Sequence, residues 1–283
     1  MLDNARDAAM TRRDFLRLSE FINAECGIKM PEVKKIMLEA RLRKRLRALG
    51  ITSFSEYIDY VFSPGGMEQE LIQMIDLVTT NKTDFFREPV HFEYLTSTVL
   101  PDLLDHTRAG SRRPLMVWSA GCSTGEEPYT LGMVMNMYSE TRPMQFMIIA
   151  TDISTRVLET ARKAVYFEEK ADQIPPVYRK RYLLRSKDRS KQMIRIAPEI
   201  RQLIRFRRLN FMEEDFGFRE KMDIIFCRNV IIYFDRKVQA RLLNKFCAYL
   251  NPGGYVFMGH SETLHGLDVP LVPVIPTVYR LPR

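Results

Sequence analysis

The stretch Val117-Trp-Ser-Ala-Gly-Cys-Ser-Thr-Gly-Glu-Glu-Pro-Tyr129 decides the fold class. Leu115 to Trp118 is an apolar run that predicts a buried strand. A loop of small residues follows, carrying Gly121 and Gly125, and Glu126 to Tyr138 predicts a helix. Strand, glycine-containing loop, helix is the first turn of a nucleotide-binding α/β sheet. Glycine has no Cβ, so the backbone there approaches a ligand closely. The loop lacks the G-x-G-x-x-G spacing of dinucleotide folds and the G-K-[ST] that cradles a triphosphate. Taken alone, the loop is a weak signal, and a tight βα turn that binds nothing is the plain alternative.

The next elements narrow that choice. Gln145 to Thr151 is a second apolar run ending in Asp152. In dinucleotide folds an acidic residue at the end of the second strand accepts hydrogen bonds from ribose hydroxyls. Asp152 lies 27 residues past Gly125, slightly long but compatible. Ser154 predicts the N-cap of the following helix, and capping that helix is the plain structural alternative for Asp152.

Working outward, strand and helix alternate: strand 115–119, helix 126–139, strand 145–151, helix 154–163. The alternation breaks at 175–200, where two short β-like runs flank a polar, strongly basic turn, which predicts an inserted hairpin. It resumes with a strand at 203–208 leading to Asn210-Phe211 and an apolar strand at 222–227 leading to Arg228-Asn229. A helix from Asp235 to Leu250, an Asn-Pro-Gly-Gly turn at 251–254, and strands at 255–259 and near 277–281 complete the series.

Residues 1–78 predict an all-helical domain. Thr11 caps a helix over 12–25, with Asp14 at its third position. Pro31 opens a second helix whose apolar positions are Val33, Ile36, Met37, Ala40 and Leu46. Its other face is basic: Lys34, Lys35, Arg41, Arg43, Lys44, Arg45 and Arg47 against Glu32 and Glu39. A solvated face is the default reading, yet like charges this close repel by a few tenths of a kcal/mol per pair, which suggests an acidic surface to meet. Helices at 53–60 and 68–78 follow, separated by Ser63-Pro64-Gly65-Gly66. Residues 79–91 predict a polar linker, with Asn81, Thr83 and Arg87 around Phe85-Phe86 placed to fold over a ligand as a lid, and 92–104 predict a helix.

Composition bounds the function. The chain has 283 residues, enough for one large domain or two, and 46% are hydrophobic, enough for a proper core. It holds no apolar run long enough to cross a bilayer, and its first residues lack the order of a signal peptide. Four cysteines far apart, with no C-x-x-C, and four scattered histidines predict a reducing, cytoplasmic setting and no metal site. A net charge of +8 favours an anionic partner without choosing its kind.

In an open α/β sheet the ligand sits at the carboxyl ends of the strands. Those ends carry Ser119 to Gly125, Asp152, Asn210-Phe211 and Cys227 to Asn229. A ribose acceptor, an amide beside an aromatic ring, and a guanidinium beside an amide suit an adenosine bearing an amino-acid tail, which is S-adenosylmethionine. A nicotinamide dinucleotide fits less well, because the first loop lacks the phosphate-binding spacing.

Three motifs, Ser-Ala-Gly-Cys-Ser-Thr-Gly-Glu-Glu-Pro-Tyr, Phe-Cys-Arg-Asn-Val-Ile-Ile-Tyr-Phe and Asn-Lys-Thr-Asp-Phe-Phe-Arg, together resemble the chemotaxis receptor methyltransferases, the CheR family. The resemblance implies a Rossmann-like S-adenosylmethionine-dependent methyltransferase sheet with an all-α N-terminal docking domain (1–78), a linker (79–91) and an inserted β-subdomain within 92–283. It implies that Asn81, Thr83, Arg87, Gly121, Glu127, Asp152, Asn210, Phe211, Arg228 and Asn229 contact the cofactor, with a register shift to Glu126 left open. Arg87 and Tyr233 become the candidates for the transfer step, and Lys34, Lys35, Arg41, Lys44 and Arg45 the receptor-docking residues. The implied product is S-adenosylhomocysteine, and the implied acceptor is a glutamate in the cytoplasmic methylation region of a chemotaxis receptor. Some members of the family bind a receptor C-terminal pentapeptide through a glycine-containing hairpin loop. Here that loop, Ser186 to Gln192, has no glycine and is crowded with charge, so tether-independent action is expected. No nucleic-acid partner, no membrane insertion and a monomer are expected.

Two other function classes remain in view. Methyltransferases of exocyclic amines usually end the fourth strand with Asn/Asp-Pro-Pro-Tyr, whereas this strand ends Cys-Arg-Asn-Val. A non-catalytic sensor of S-adenosylmethionine would share the strand ends but would not need Arg87 and Tyr233.

Overall fold

A computed structural model describes residues 9–283. The chain divides into two compact units: one runs to Thr80 and includes Tyr233–Asp235, and the other comprises Asn81–Ile232 and Arg236–Arg283.

The first unit is helical, with α1 at Arg12–Cys26, α2 at Lys35–Leu49, α3 at Phe54–Phe62 and α4 at Pro64–Val78. Thr11 and Asp14 form a reciprocal capping box at the start of α1: the Thr11 hydroxyl accepts from the Asp14 N–H at 3.1 Å, and Asp14 accepts from the Thr11 N–H at 3.3 Å. A 3-10 turn, Glu32–Lys34, precedes α2, and Gly50 ends it in the left-handed region at φ 68°. The buried stripe of α2 is Leu38, Leu42 and Leu46, spaced four apart; of the expected positions Leu46 lies in it, and Val33 and Ile36 do not. Val33 and Ile36 are 85% and 81% exposed. The second departure is the start of α4. Pro64-Gly65-Gly66 is its first turn rather than a spacer, because Pro at the first helical position has no N–H to leave unpaired and the Ser63 hydroxyl accepts from Gly66.

The second unit opens with α5, Val90–Tyr94, which passes through a π turn at Leu95–Val99 into α6, Leu100–His106. Then come β1 (Leu115–Ala120), α7 (Glu126–Thr141), β2 (Phe146–Asp152), α8 (Thr155–Lys163) and β3 (Val165–Phe167). They are followed by α9 (Pro176–Tyr182), β4 (Leu183–Arg185), β5 (Met193–Ile196), α10 (Pro198–Arg201) and β6 (Ile204–Arg208). The chain ends with β7 (Met222–Cys227), α11 (Arg236–Tyr249), β8 (Leu250–Met258), β9 (Val272–Ile275) and β10 (Val278–Arg280).

Seven strands form one sheet in the order β6-β2-β1-β7-β8-β10-β9. The first five are parallel neighbours, while β10 runs antiparallel to β8 and β9. The chain builds outward from β1 through β2 to β6 and then returns to the other side of β1 with β7. That reversal opens a crevice at the carboxyl ends of β1 and β7. Both central strands are buried along their whole length, as strands covered on two faces must be. Trp118 donates to the Thr151 hydroxyl at 2.9 Å and meets Phe216, Phe218 and Phe246 edge-on.

The inserted subdomain is larger than the 175–200 hairpin expected. It is a three-stranded antiparallel sheet, β3-β5-β4, beginning at Val165. The two β-like runs of that stretch are β4 and β5, and the residues ahead of them form a helix, α9, started by Pro176 at the first helical position. Similarly, Asn251-Pro-Gly-Gly254 lies inside β8, where the pairing with β7 shifts register between Met222 and Ile224. β9 has no counterpart in the sequence reading.

Candidate cofactor and transfer site

The β1 end is a loop held by its neighbours. Gly121 has φ 84° and donates to the Thr151 carbonyl at 2.8 Å. A Cβ there would lie 2.5 Å from Val230 Cγ2, so glycine is required both for conformation and for space. Ser123, at φ 48°, donates its N–H to Asp152 Oδ2 at 2.8 Å and its hydroxyl to the Asn81 carbonyl at 2.8 Å. Asp152 also accepts from the Ser154 N–H at 3.0 Å, while the Ser154 hydroxyl accepts from Val157 as N-cap of α8. Asp152 thus buttresses the helix start and the first loop at once.

At the β6 end, the Asn210 side-chain oxygen accepts from the Met212 N–H at 3.0 Å. Phe211 is half-buried, with its ring edge-on to Trp118. An amide beside a ring therefore stands where the sequence placed one.

The β7 end carries the densest buried charge. The Arg228 side chain is 2% exposed. Its Nε donates to Glu127 Oε2 at 2.7 Å, and its Nη1 donates to the Arg87 carbonyl at 2.7 Å and approaches His91 Nδ1 at 3.1 Å. The Ser119 hydroxyl donates to Glu127 Oε1 at 2.7 Å. Glu127 therefore joins the ends of β1 and β7. Its neighbour Glu126 turns the other way, accepting from Thr124 at 2.6 Å and from the Lys170 ammonium at 2.7 Å.

An arginine always donates, so His91 Nδ1 accepts and the ring carries its proton on Nε2, 2.8 Å from the Thr277 hydroxyl. Burial, reinforced by the Arg228 charge, lowers the His91 pKa to about 4, keeping the ring neutral. Burial also pushes the Cys122 and Cys227 thiols well above their ordinary range.

The segment Asn81–Glu88 is packed within the second unit rather than strung as a loose tether. The Phe85 N–H donates to Gln173 at 3.0 Å, the Phe86 N–H to Thr130 at 3.1 Å, and the Phe85 side chain is buried against Tyr166. The Thr83 carbonyl accepts from Lys170 at 2.9 Å. Arg87 sits between two non-glycine residues with positive φ, Phe86 at 52° and Glu88 at 57°. Such backbone costs on the order of 1 kcal/mol or more per residue and persists where surroundings impose it.

Glu88, His91 and His260 bring ligand-type atoms within 4.8 Å of one another, so the histidines are less scattered than their spacing indicated. Arg228 Nη1, 3.5 Å from Glu88 Oε2 and 3.1 Å from His91 Nδ1, already supplies the positive charge there. His91 and Glu88 lie in the segment read as a linker, but nothing in their spacing pointed to Arg228, 137 positions away.

Tyr233 belongs to the first unit, where the Lys34 ammonium lies 5.4 Å from its ring centroid. Burial and the Arg41 charge lower the Lys34 pKa. The basic face of α2 is partly tied down within its unit. Arg41 Nη1 donates to the carbonyls of Leu77, Val78 and Thr79 at 3.3, 2.9 and 3.0 Å, capping the end of α4. Arg45 makes a forked pair with Glu70, which is 1% exposed and also accepts from the Tyr57 hydroxyl. Arg43 pairs with Glu39 one turn away. Lys35 is half-exposed and Lys44 exposed.

A mostly parallel seven-stranded sheet of this order, with a glycine loop at β1, a carboxylate at β2 and an amide–aromatic pair at β6, defines the class as S-adenosylmethionine-dependent methyltransferase. The donor set at the strand ends, the Asp152 carboxylate and the Asn210–Phe211 pair, fits the chemistry of that cofactor. Residues 81–274 match the family described as CheR methyltransferase, SAM binding domain, and residues 13–79 match CheR methyltransferase, all-alpha domain. The chain belongs to the CheR family of chemotaxis methyltransferases, and its cofactor is S-adenosylmethionine. It is 39% identical to a chemotaxis protein methyltransferase of Borreliella burgdorferi over 96% of this chain and 95% of that one. It is 40% identical to chemotaxis protein methyltransferase 2 of Pseudomonas aeruginosa, covering 89% and 87%, and 35% identical to the Escherichia coli protein, covering 100% and 96%.

Proposed function

We propose that this chain transfers a methyl group to glutamate side-chain carboxylates of chemotaxis receptors, forming methyl esters. The observation that carries the reading is the state of the groups around the strand ends. The buried imidazole, His91, is neutral with both nitrogens engaged, and the thiols of Cys122 and Cys227 are held protonated by burial. An acceptor that needs no general base suits this set. A glutamate carboxylate, with a reference pKa of about 4.3, is already ionised at neutral pH. The cofactor, when bound, supplies an electrophilic methyl on a sulfonium. The chain's own task is then to bind, desolvate and align the carboxylate.

Under this reading Asn81, Thr83, Arg87, Gly121, Glu127, Asp152, Asn210, Phe211, Arg228 and Asn229 form the cofactor site. Arg228 contributes by orienting Glu127 and the Arg87 carbonyl, since its guanidinium is buried on them. Arg87, half-exposed, orients the acceptor carboxylate by a charge-assisted pair. Tyr233 is the second candidate for the transfer step.

The test is transfer of radiolabelled methyl to receptor-bearing membranes. Base-labile label on receptor protein is expected, and label on nucleic acid, or none, would sink the reading. Arg87→Ala should lower kcat about 100-fold with cofactor binding reduced less.

The partner is the acidic methylation region of a receptor, met by Lys34, Lys35, Arg41, Lys44 and Arg45. Arg41 and Arg45 shape that surface from their internal partners, while Lys35 and Lys44 present free charge to it. The hairpin loop contains a 3-10 turn at Arg189–Lys191 and no glycine, which supports tether-independent action. Retention of the protein on an immobilised receptor pentapeptide would overturn that point. No helix among the described residues is long and apolar enough to cross a membrane. We place the enzyme in the cytoplasm as a monomer.

A further inference from the structure

β8 leads through Gly259 into a tight turn that returns the chain at Glu262, whose N–H donates to the Gly259 carbonyl at 2.9 Å. Glu262 is 4% exposed. Among the described residues no cationic side chain pairs with it; its carboxylate is surrounded by backbone N–H groups instead. Oε2 accepts from Asn229 at 2.8 Å and from Gly259 at 2.6 Å, and Oε1 accepts from Val230 at 2.8 Å and from Ile232 at 3.4 Å. One side chain thus gathers the donors of the whole loop after β7 and ties them to the end of β8.

That loop is under conformational demand. Asn229 has φ 61°, a left-handed conformation uncommon outside glycine, which asparagine tolerates better than most residues. It is held from two sides. Glu262 takes its N–H, and Gly259 lies so close that a Cβ there would be 2.5 Å from Asn229 Nδ2 and 2.8 Å from its backbone nitrogen. The next residue, Val230, presses Cγ2 to within 2.5 Å of the place a Cβ would occupy on Gly121. The bond from Glu262 to the Val230 N–H therefore sets the spacing between the β7 end and the β1 loop.

A buried anion fixed by amides alone is a costly way to stabilise a loop, because burial opposes its charged form. Its gain is in geometry: four donors converge on two oxygens, which fixes where the Asn229 side chain and Val230 stand.

We infer that Glu262 is a positioning residue of the cofactor site, holding Asn229 in its left-handed conformation. The inference rests on the reading of Asn229 as a cofactor-binding residue. Glu262→Gln keeps the size but turns one acceptor into an amide that faces N–H donors. The experiment is calorimetric titration with S-adenosylhomocysteine of wild type, Glu262→Gln, Asn229→Ala and the double variant, with thermal unfolding of each.

Glu262→Gln should weaken binding about tenfold, the order of effect of one lost charge-assisted bond. In the Asn229→Ala background the same substitution should change binding less than twofold, because the group it positions is gone. A merely structural role would lower thermal stability and give the same factor in both backgrounds, which would overturn the inference. Unchanged binding in Glu262→Gln would overturn it as well, with the cofactor site intact. Binding unaffected by Asn229→Ala alone would instead remove the reading of Asn229 on which it rests. Where Glu262→Gln fails to fold, Gly259→Ala displaces Asn229 from the opposite side and enters the same cycle with the same expectation.

Discussion

Arg228 at the end of β7 and Lys44 on α2 are both cations, yet the molecule treats them differently. Arg228 is buried, and its side chain is engaged inside the protein by Glu127, the Arg87 carbonyl, His91 and Glu88. Lys44 is exposed on a helix where Arg41, Arg43 and Arg45 are already engaged by α4 carbonyls, Glu39 and Glu70. Charge inside a low-dielectric site is fixed in place and expensive to disturb, while charge on a helix face is screened within about 8 Å at physiological salt. The first arrangement suits a preorganised site and the second suits attraction of a mobile acidic partner.

The largest effect should come from Arg228→Leu, which leaves Glu127 buried without its partner. Denaturant unfolding should show a loss of about 3–5 kcal/mol. Adding Glu127→Gln should recover part of it, since the orphaned charge is then removed. A loss below about 1 kcal/mol would place the pair with surface ion pairs and dissolve the contrast.

His91 gives the next effect, and its sign is set by burial. Its pKa is lowered from 6.5 to about 4, so between those values the unfolded chain binds more protons than the folded one. Stability should therefore fall as pH drops from about 6.5 towards 4, by up to about 3 kcal/mol. His91→Gln should flatten that slope in urea titrations at pH 7 and 4.5; an unchanged slope would assign it to other groups.

Thr11→Ala removes one half of the α1 capping box and should cost about 1 kcal/mol, read in thermal unfolding. Smallest in stability is Lys44→Ala, expected within about 0.5 kcal/mol of wild type. Its effect should appear in the receptor KM, which should rise at low salt and converge on wild type at high salt. A KM insensitive to salt in both proteins would remove the docking role of the α2 face.

Much of the site was legible because it lies at strand ends. Once Leu115–Trp118 reads as a buried strand, the residues after it are at a carboxyl end, and the same logic places Asp152, Asn210 and Arg228. The α1 capping box was legible for a similar reason, since both partners are three residues apart. What escaped was contact between distant residues. Glu262 holds Asn229 across 33 positions, and Lys170 reaches Glu126 across 44. Short elements escaped too: β3 is three residues and β9 four, and both exist because a neighbouring strand accepts their hydrogen bonds. On α2 the sequence marks Leu46, but Val33 and Ile36 are apolar like the leucines, and only packing selects which apolar residues face inward.

The sequence by itself determined the alternation of strand and helix, the helical first unit, the glycine loop and the set of polar groups at the strand ends. These follow from local periodicity, capping and chirality, which each segment carries alone. Only the tertiary structure decided that Arg228 is buried on Glu127 and His91, that His91 is neutral, that Arg41 and Arg45 face their own unit, and that Glu262 holds the loop after β7. Those are outcomes of desolvation and of which distant donor meets which acceptor, and both quantities come into existence only when the chain has closed on itself.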